Sequence, residues 1–389
     1  MRIQFVQKLR ALFFIVAVMV SFSVLAQGVL ITSFDHTGEL VFVDSDGASW
    51  YYIEGCDVLG GPWTNTWAYL SNIASTGSGS VTCTVPVTVT EPRMFFRVIS
   101  IFDDAPDGMG IIVGGSFYMG DSFGEISSDE LPVHTVNITW YYIDQTEVTW
   151  EKWQEVYNWA LNHGYQFDNT GAGKDLNYPV HSVSWYDTVK WCNARSEMNG
   201  LEPCYYLDRS FTSVYRRNTY DPYCDWSAGG YRLPTEAEWE KASRGGLVGN
   251  RFSLGDTISH SNANYYVKHD EGVIVYSYDK GPEVGYHPDY DNGGFSYTSP
   301  VASFAANGYG LFDMEANIFE WCWDRYNEDY YAVSAVDDPT GSVGGFYRVY
   351  RGGCWDDDAE MARNSSRNYL WAGGKDMRVG FRCVISTKD

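Results

Sequence analysis

The stretch Asn307–Asp324, NGYGLFDMEANIFEWCWD, constrains this chain more than any other. It opens on a Gly-Tyr-Gly turn and then crowds Leu311, Phe312, Met314, Ile318, Phe319, Trp321 and Trp323 into one short span. Among these apolar side chains stand the oxygens of Asp313, Asn317, Glu320 and Asp324. Asp313 and Glu320 offer carboxylates, and the backbone carbonyls between them can complete the shell of about six to eight oxygens that calcium takes. Two readings stay open from these residues: a metal loop, or an acidic edge on a buried aromatic turn. The wider chain carries 30 Tyr and 15 Trp and shows little helical periodicity. Large rings pinning many loops and short strands fit that content better than a helical bundle does.

The N-terminus has Arg2, Lys8 and Arg10 ahead of an apolar run from Ala11 to Val20, closing at Val24-Leu25-Ala26. This order predicts an export signal over residues 1–26. The run is shorter than the roughly 20 residues of a membrane-spanning helix. The expected destination is periplasmic, cell-surface or extracellular, with no transmembrane segment left after cleavage. Removing three cations leaves 24 basic against 50 acidic residues, a charge of −26 where the whole chain has −23. Nucleic-acid binding, which needs clustered Lys and Arg, is excluded as an expectation. Eight Cys in an exported chain predict disulfides instead of zinc.

Residues 27–102 read as a small all-β sandwich: short β-branched and aromatic runs between Gly, Asp, Asn and Ser turns. The alternation Val81, Cys83, Val85, Val87, Val89 is the clearest of them. Cys56 and Cys83 are the only cysteines there, so a bridge between them is expected. Residues 103–110, acidic and bearing Pro106 and Gly108, form a linker. The main domain, 111–387, begins with a strand at Ile111–Gly120 and an antiparallel pair spanning residues 130–150. Helices are predicted over Thr149–Leu161, Ser184–Arg195 and Thr235–Arg244, the last with Thr235 and Glu238 as a capping box.

Three long motifs in order, RLPTEAEWEKASRGG (Arg232–Gly246), the stretch above, and RVYRGGCW…GFRC (Arg348–Cys383), resemble the sulfatase-modifying-factor family. Its founding activity is that of formylglycine-generating enzyme, which oxidises a sulfatase Cys to formylglycine. The likeness runs from about Gly114 to Cys383. It implies an α+β, C-type-lectin-like fold with low regular secondary structure, long ordered loops and structural calcium. The 232–246 helix is structural in that family. The resemblance pairs Cys192 with Cys383. Its second bridge would start at Ser243, and the facing segment 363–366 holds no Cys either. Cys204 and Cys224 bracket an insertion and are expected to pair.

Carried over position by position, one calcium site would use Asp313, the carbonyls of Ala316 and Ile318, and Glu320. A second would use Asn264, the Tyr265 carbonyl and an acid near residues 291–295. The catalytic step does not carry over. The family's copper-binding Cys pair follows its Gly-Gly-Ser motif, and here that run is Trp355–Ala362, rich in Asp and without a thiol. Carboxylates are hard ligands and do not replace thiolates for Cu(I). Only Cys322 and Cys354 remain as a relocated pair, with Trp321, Trp355 and Asp357 lining the implied groove. His36, His134, His163, His181, His260, His269 and His287 are scattered, which argues against the family's iron-dependent branch. The implied alternatives are an oxidase acting on sulfatase-type polypeptides, or a non-catalytic module binding a peptide or a surface glycan.

Overall fold

The computed structural model describes residues 105–387 except 126 and 292–296, and the backbone of five strands between residues 29 and 101. The chain divides into two compact units, Met1–Asp104 and Ala105–Asp389, a boundary inside the expected linker. In the first unit lie β1 Val29–Phe34, β2 Glu39–Asp44, β3 Trp50–Cys56, β4 Gly79–Thr84 and β5 Phe95–Ile101. They form an antiparallel β1-β2-β4 sheet and a separate β3-β5 pair. The signal segment, the run after Thr84 and the side chains of Cys56 and Cys83 lie outside the described residues.

The second unit opens with β6 Met109–Ile112 and β7 Gly115–Met119, then β8 His134–Ile138 and β9 Tyr141–Asp144. The sequence suggested one strand and then a self-paired hairpin. Instead β8 pairs with β7, while β9 pairs with β6 and with a strand from the far end of the unit. The break sits at Gly114-Gly115. A Cβ at Gly114 would lie 3.0 Å from the Ile138 carbonyl, and Gly115 has φ +128°. Glycine there lets the chain swing from one sheet to the other.

Three helices form where they were predicted, each with a capped N-terminus. Thr149 accepts from the Lys152 amide at the head of α1 Trp150–Leu161. Ser184 and Asp187 form a full capping box on α2 Trp185–Met198, and Thr235 and Glu238 do the same on α3 Glu236–Ser243. Each cap satisfies amides that no helical carbonyl reaches. The short strands β10 Tyr205–Tyr206, β11 Tyr223–Cys224 and β12 Tyr231–Arg232 lie between α2 and α3. After α3 come β13 His269–Asp270, β14 Val273–Ile274, β15 Phe319–Arg325, β16 Tyr347–Arg351, β17 Asn368–Trp371, β18 Val379–Gly380 and β19 Val384–Ser386.

Two four-stranded sheets organise these pieces, ordered β12-β19-β9-β6 and β17-β16-β15-β18. The β15–β18 contact is parallel and pairs Phe319 with Val379. Strand β15 divides two cores. Phe319 and Trp321 pack with Trp153, Trp185, Trp191 and Phe381 on one side. Cys322 packs with Trp239, Met314 and Val349 on the other.

Helix α3 is charged yet buried because every glutamate has a guanidinium. Arg367 grips Glu236 at 2.7 and 2.9 Å, Arg232 grips Glu238 at 2.6 and 2.7 Å, and Arg244 reaches Glu240 at 2.7 Å. Such bidentate pairs fix geometry as well as charge. Where the resemblance would place a second bridge, Ser243 Oγ donates to Asn364 Oδ1 at 2.6 Å, both residues buried.

Candidate functional site

The loop entering β15 holds three non-glycine residues in the left-handed region: Asp313 (φ +54°), Ala316 (+58°) and Asn317 (+56°). That conformation costs about 1–2 kcal/mol for a residue such as alanine, so the surroundings must hold it. Asn317, fully buried, accepts from the Ser299 amide at 2.8 Å and donates to Glu147 Oε1 at 2.8 Å. Its backbone bonds Asn264 and Trp355, and the Ala316 amide donates to the Gly352 carbonyl at 2.6 Å. Asn317 thereby ties together four distant segments, two through its side chain and two through its backbone.

The carboxylates around this loop differ sharply. Both oxygens of Glu320 are engaged, by Arg382 Nη2 and Nε at 2.7 Å each and by Trp239 Nε1 at 2.8 Å. Asp313 Oδ2 accepts from the Ala302 amide at 2.6 Å, but its Oδ1 has no partner. Glu147 Oε2, from the segment after β9, has none either. Burial, then the neighbouring Asp313 charge, pushes Glu147 well above the usual carboxylate range. Burial likewise pushes Asp313 up to about 6, opposed by the Ala302 amide bond and the Arg382 charge. Two buried carboxyl groups in contact, each with an unpartnered oxygen, are the arrangement that a cation or a shared proton would satisfy.

At the second expected calcium position the Tyr265 carbonyl bonds His260 Nε2 at 3.0 Å, and the Asn264 amide donates to the Tyr297 carbonyl at 2.9 Å. Asp291 follows at the edge of the described residues, and 292–296 lie outside them. No group of three or more His, Cys, Asp or Glu side chains converges on a metal-sized point among the described residues.

Around Cys354 the sequence-predicted groove residues partly gather. The Cys354 thiol donates to Asp357 Oδ2 at 3.0 Å, and burial holds that thiol well above its ordinary range. Trp355 stacks near Tyr297, with centroids 6.1 Å apart, and near Tyr286 at 6.2 Å. Its indole N–H is without a partner. Asp356 accepts from Tyr286 at 2.9 Å and lies 3.6 Å from Arg378. His181 bonds the Tyr297 hydroxyl and, at 2.9 Å, Ser182; burial lowers it to about 4, so it is neutral at pH 7. Trp321, expected on the groove wall, is fully buried beneath it and donates to the Val183 carbonyl at 3.2 Å. Strand alternation turns its ring into the core.

Cys322 and Cys354 do not come together. They sit in different cores, on opposite sides of β15 and β16. Burial raises both thiols well above their ordinary range, which disfavours the thiolate that Cu(I) needs. The other four cysteines of this unit are also free thiols, and the Cys192 and Cys383 sulfurs lie 3.6 Å apart. Cys204 precedes β10 and Cys224 closes β11, which pair antiparallel.

The model of the sulfatase-modifying factor enzyme 1-like domain matches residues 99–387. This chain belongs to that family. It is 31% identical over 295 residues to the formylglycine-generating enzyme of Streptomyces coelicolor, covering 70% of this chain and 87% of that one. It is 29% identical over 299 residues to a serine/threonine-protein kinase, pkn1, of Chlamydia caviae, covering 72% of this chain and only 38% of the kinase. Among solved structures CarF superposes with a TM-score of 0.54 at 28% identity, covering 72% of this chain and 99% of CarF.

For a sulfatase-modifying-factor domain, the calcium implied by the family fits this loop through the two unpartnered oxygens of Asp313 and Glu147. Glu147 was not legible in the loop motif, because it lies 166 positions before Asp313 (313 − 147). His181 and Tyr297 were likewise missed, being joined only by folding. Cys322 and Cys354 do not form the relocated thiol pair that copper would need, and the acidic run that replaces the family's cysteines is engaged with Tyr286, Lys268 and Tyr276.

Proposed function

We propose that this protein is an exported, calcium-stabilised binding member of the sulfatase-modifying-factor family that holds a polypeptide segment without oxidising it. The observation that carries this reading is the separation of Cys322 and Cys354 into two cores. With Cys322 and Cys354 apart and carboxylates in place of the family's cysteines, Cu(I) has no soft site beside the groove, and the family's oxidation would have no metal there to run on. Recognition would fall to the rings of Trp355, Tyr297 and Tyr286. Arg378 with Asp356 would serve as charged flanks. Calcium, when bound, supplies a fixed positive charge. Asp313 Oδ1, Glu147 Oε2 and the carbonyls of Ala316 and Ile318 would hold it, and Glu320 would act by orienting Arg382. In an oxidising compartment the adjacent Cys192 and Cys383 would form the family's bridge, and Cys204 with Cys224 a second one.

The test uses a sulfatase-type peptide with a Cys-x-Pro-x-Arg core, incubated with the purified protein and Cu(I), and read by mass and by calorimetry. Binding without any aldehyde product, weakened at least tenfold by Trp355→Ala, is the expected result. Conversion of the peptide cysteine to an aldehyde would refute the loss of catalysis. Absence of both binding and conversion would refute the peptide site.

A further inference from the structure

A cleft of about 560 Å³ opens elsewhere on the domain, between the first turn of α3, the β8–β9 connection and the residues after β19. Its volume falls within the roughly 300–1,000 Å³ of small-molecule sites. It shares no residue with the Trp355 cluster or the calcium loop.

The floor is an ion pair with no vacant charge. Arg232 meets both oxygens of Glu238 at 2.6 and 2.7 Å and also donates to Ser386 Oγ at 3.0 and 3.1 Å. Glu238 in turn accepts from the Thr235 amide at 2.8 Å. On the rim the Thr139 amide and hydroxyl both donate to Asp338, each at 2.7 Å. The Thr340 side chain stands beside them at an exposed position. The wall is Trp226, 37% exposed, held edge-to-face against Trp323 with centroids 5.7 Å apart and with Arg232 5.1 Å from its ring centre.

We propose that this cleft is a saccharide-binding site, in which a neutral pyranose lies against the exposed surface of Trp226 and its hydroxyls meet Thr139, Asp338 and Thr340. The chemistry selects that class by elimination and by fit. An anion finds Arg232 already neutralised by Glu238, Asp338 on the rim, and a chain of net charge −23. A quaternary cation finds a guanidinium already near the indole ring it would seek. A sugar ring has an apolar C–H face and a hydroxylated edge, matching an indole wall beneath a rim of hydroxyl and carboxylate acceptors. Because Trp226 is clamped by Trp323 and Arg232, little side-chain freedom is lost on binding.

Saturation-transfer NMR on the full chain tests this with methyl β-glucopyranoside, methyl α-mannopyranoside and diacetylchitobiose, with choline as the cationic comparator. At least one saccharide should receive saturation at its ring C–H protons, with an affinity reduced at least tenfold in Trp226→Ala. Thr340→Trp, which plugs the cleft from an exposed position without disturbing the core, should give the same loss. Trp355→Ala should leave saccharide binding unchanged, which separates this site from the peptide site. No transfer to any saccharide, transfer to choline alone, or saccharide binding unaffected by Thr340→Trp would each overturn the proposal.

Discussion

Glu147→Gln gives the sharpest test of the calcium loop, because it changes charge at a residue outside the motif. Gln keeps the carbonyl that accepts from Asn317 at 2.8 Å and removes only the charge shared with the unpartnered Oε2. In chelator, two buried carboxyl groups in contact disfavour one another. Neutralising one should therefore leave the melting temperature unchanged or raise it. In calcium the sign reverses. Free calcium at a hundred times its Kd stabilises the native state by about 2.7 kcal/mol. For a domain of this size that corresponds to a rise of about 5–11 °C in Tm. Glu147→Gln should lose most of that rise, and Asp313→Asn should behave alike, since Asn accepts the left-handed φ of +54° well. Glu320→Gln should behave differently. It breaks the buried Arg382 pair and should cost about 3–5 kcal/mol in either buffer, yet keep the calcium increment. Differential scanning calorimetry of the wild type and three variants, in EDTA and in calcium, decides the matter. A wild-type Tm indifferent to calcium, or an increment abolished by Glu320→Gln but kept by Glu147→Gln, would refute the reasoning. The first result would leave a shared proton between Glu147 and Asp313.

Two further outcomes are expected. Burial and the Glu236 charge push Asp324 up to about 8, so its folded pKa lies above its unfolded one. Its contribution to stability is therefore greatest below about pH 4 and is lost as pH rises through 8, at about 1.4 kcal/mol per pH unit. Asp324→Asn, which can still accept the Glu236 amide, should remove that slope, and its advantage over wild type in urea unfolding should grow from pH 5 to pH 8; a constant difference would refute it. Ser243→Ala strands the buried Asn364 carbonyl and should cost about 1–3 kcal/mol, whereas equal urea midpoints for the two proteins would show that the bond contributes nothing.

What the sequence disclosed was local. All three helices form where predicted, and the Thr235–Glu238 capping box was legible because it acts on amides within three residues of itself. The oxygen-bearing loop was visible for the same reason. Strand pairing was not, since the partners of β8 and β9 depend on a glycine break whose effect appears only once the sheets assemble. The fates of the two thiols were half visible. Adjacent residues on a strand face opposite sides, so Trp321 and Cys322 had to enter different cores. Cys354 follows Gly352 and Gly353, at φ +98° and +79°, and that double left-handed turn decides its direction without leaving a periodic trace. Glu147, His181 and Tyr297 reach their partners across long sequence separations, where no spacing rule applies.

The placement of β19 bears on when the domain can form. This short strand lies between β12 and β9, and β9 in turn carries β6. Asp144 at the end of β9 and Val384 at the start of β19 are separated by 240 positions (384 − 144). A ribosome adding about 5–20 residues per second needs roughly 12–48 s to cover that distance. Throughout that interval β9 has one edge unpaired, and the carbonyl of Cys383 is not there to receive the Asp144 amide. The nascent domain thus stays an open chain until synthesis is nearly through the family's closing motif. A polypeptide that must be threaded before it folds would benefit from that delay, and a truncation ahead of Val384 would leave a permanently open sheet edge.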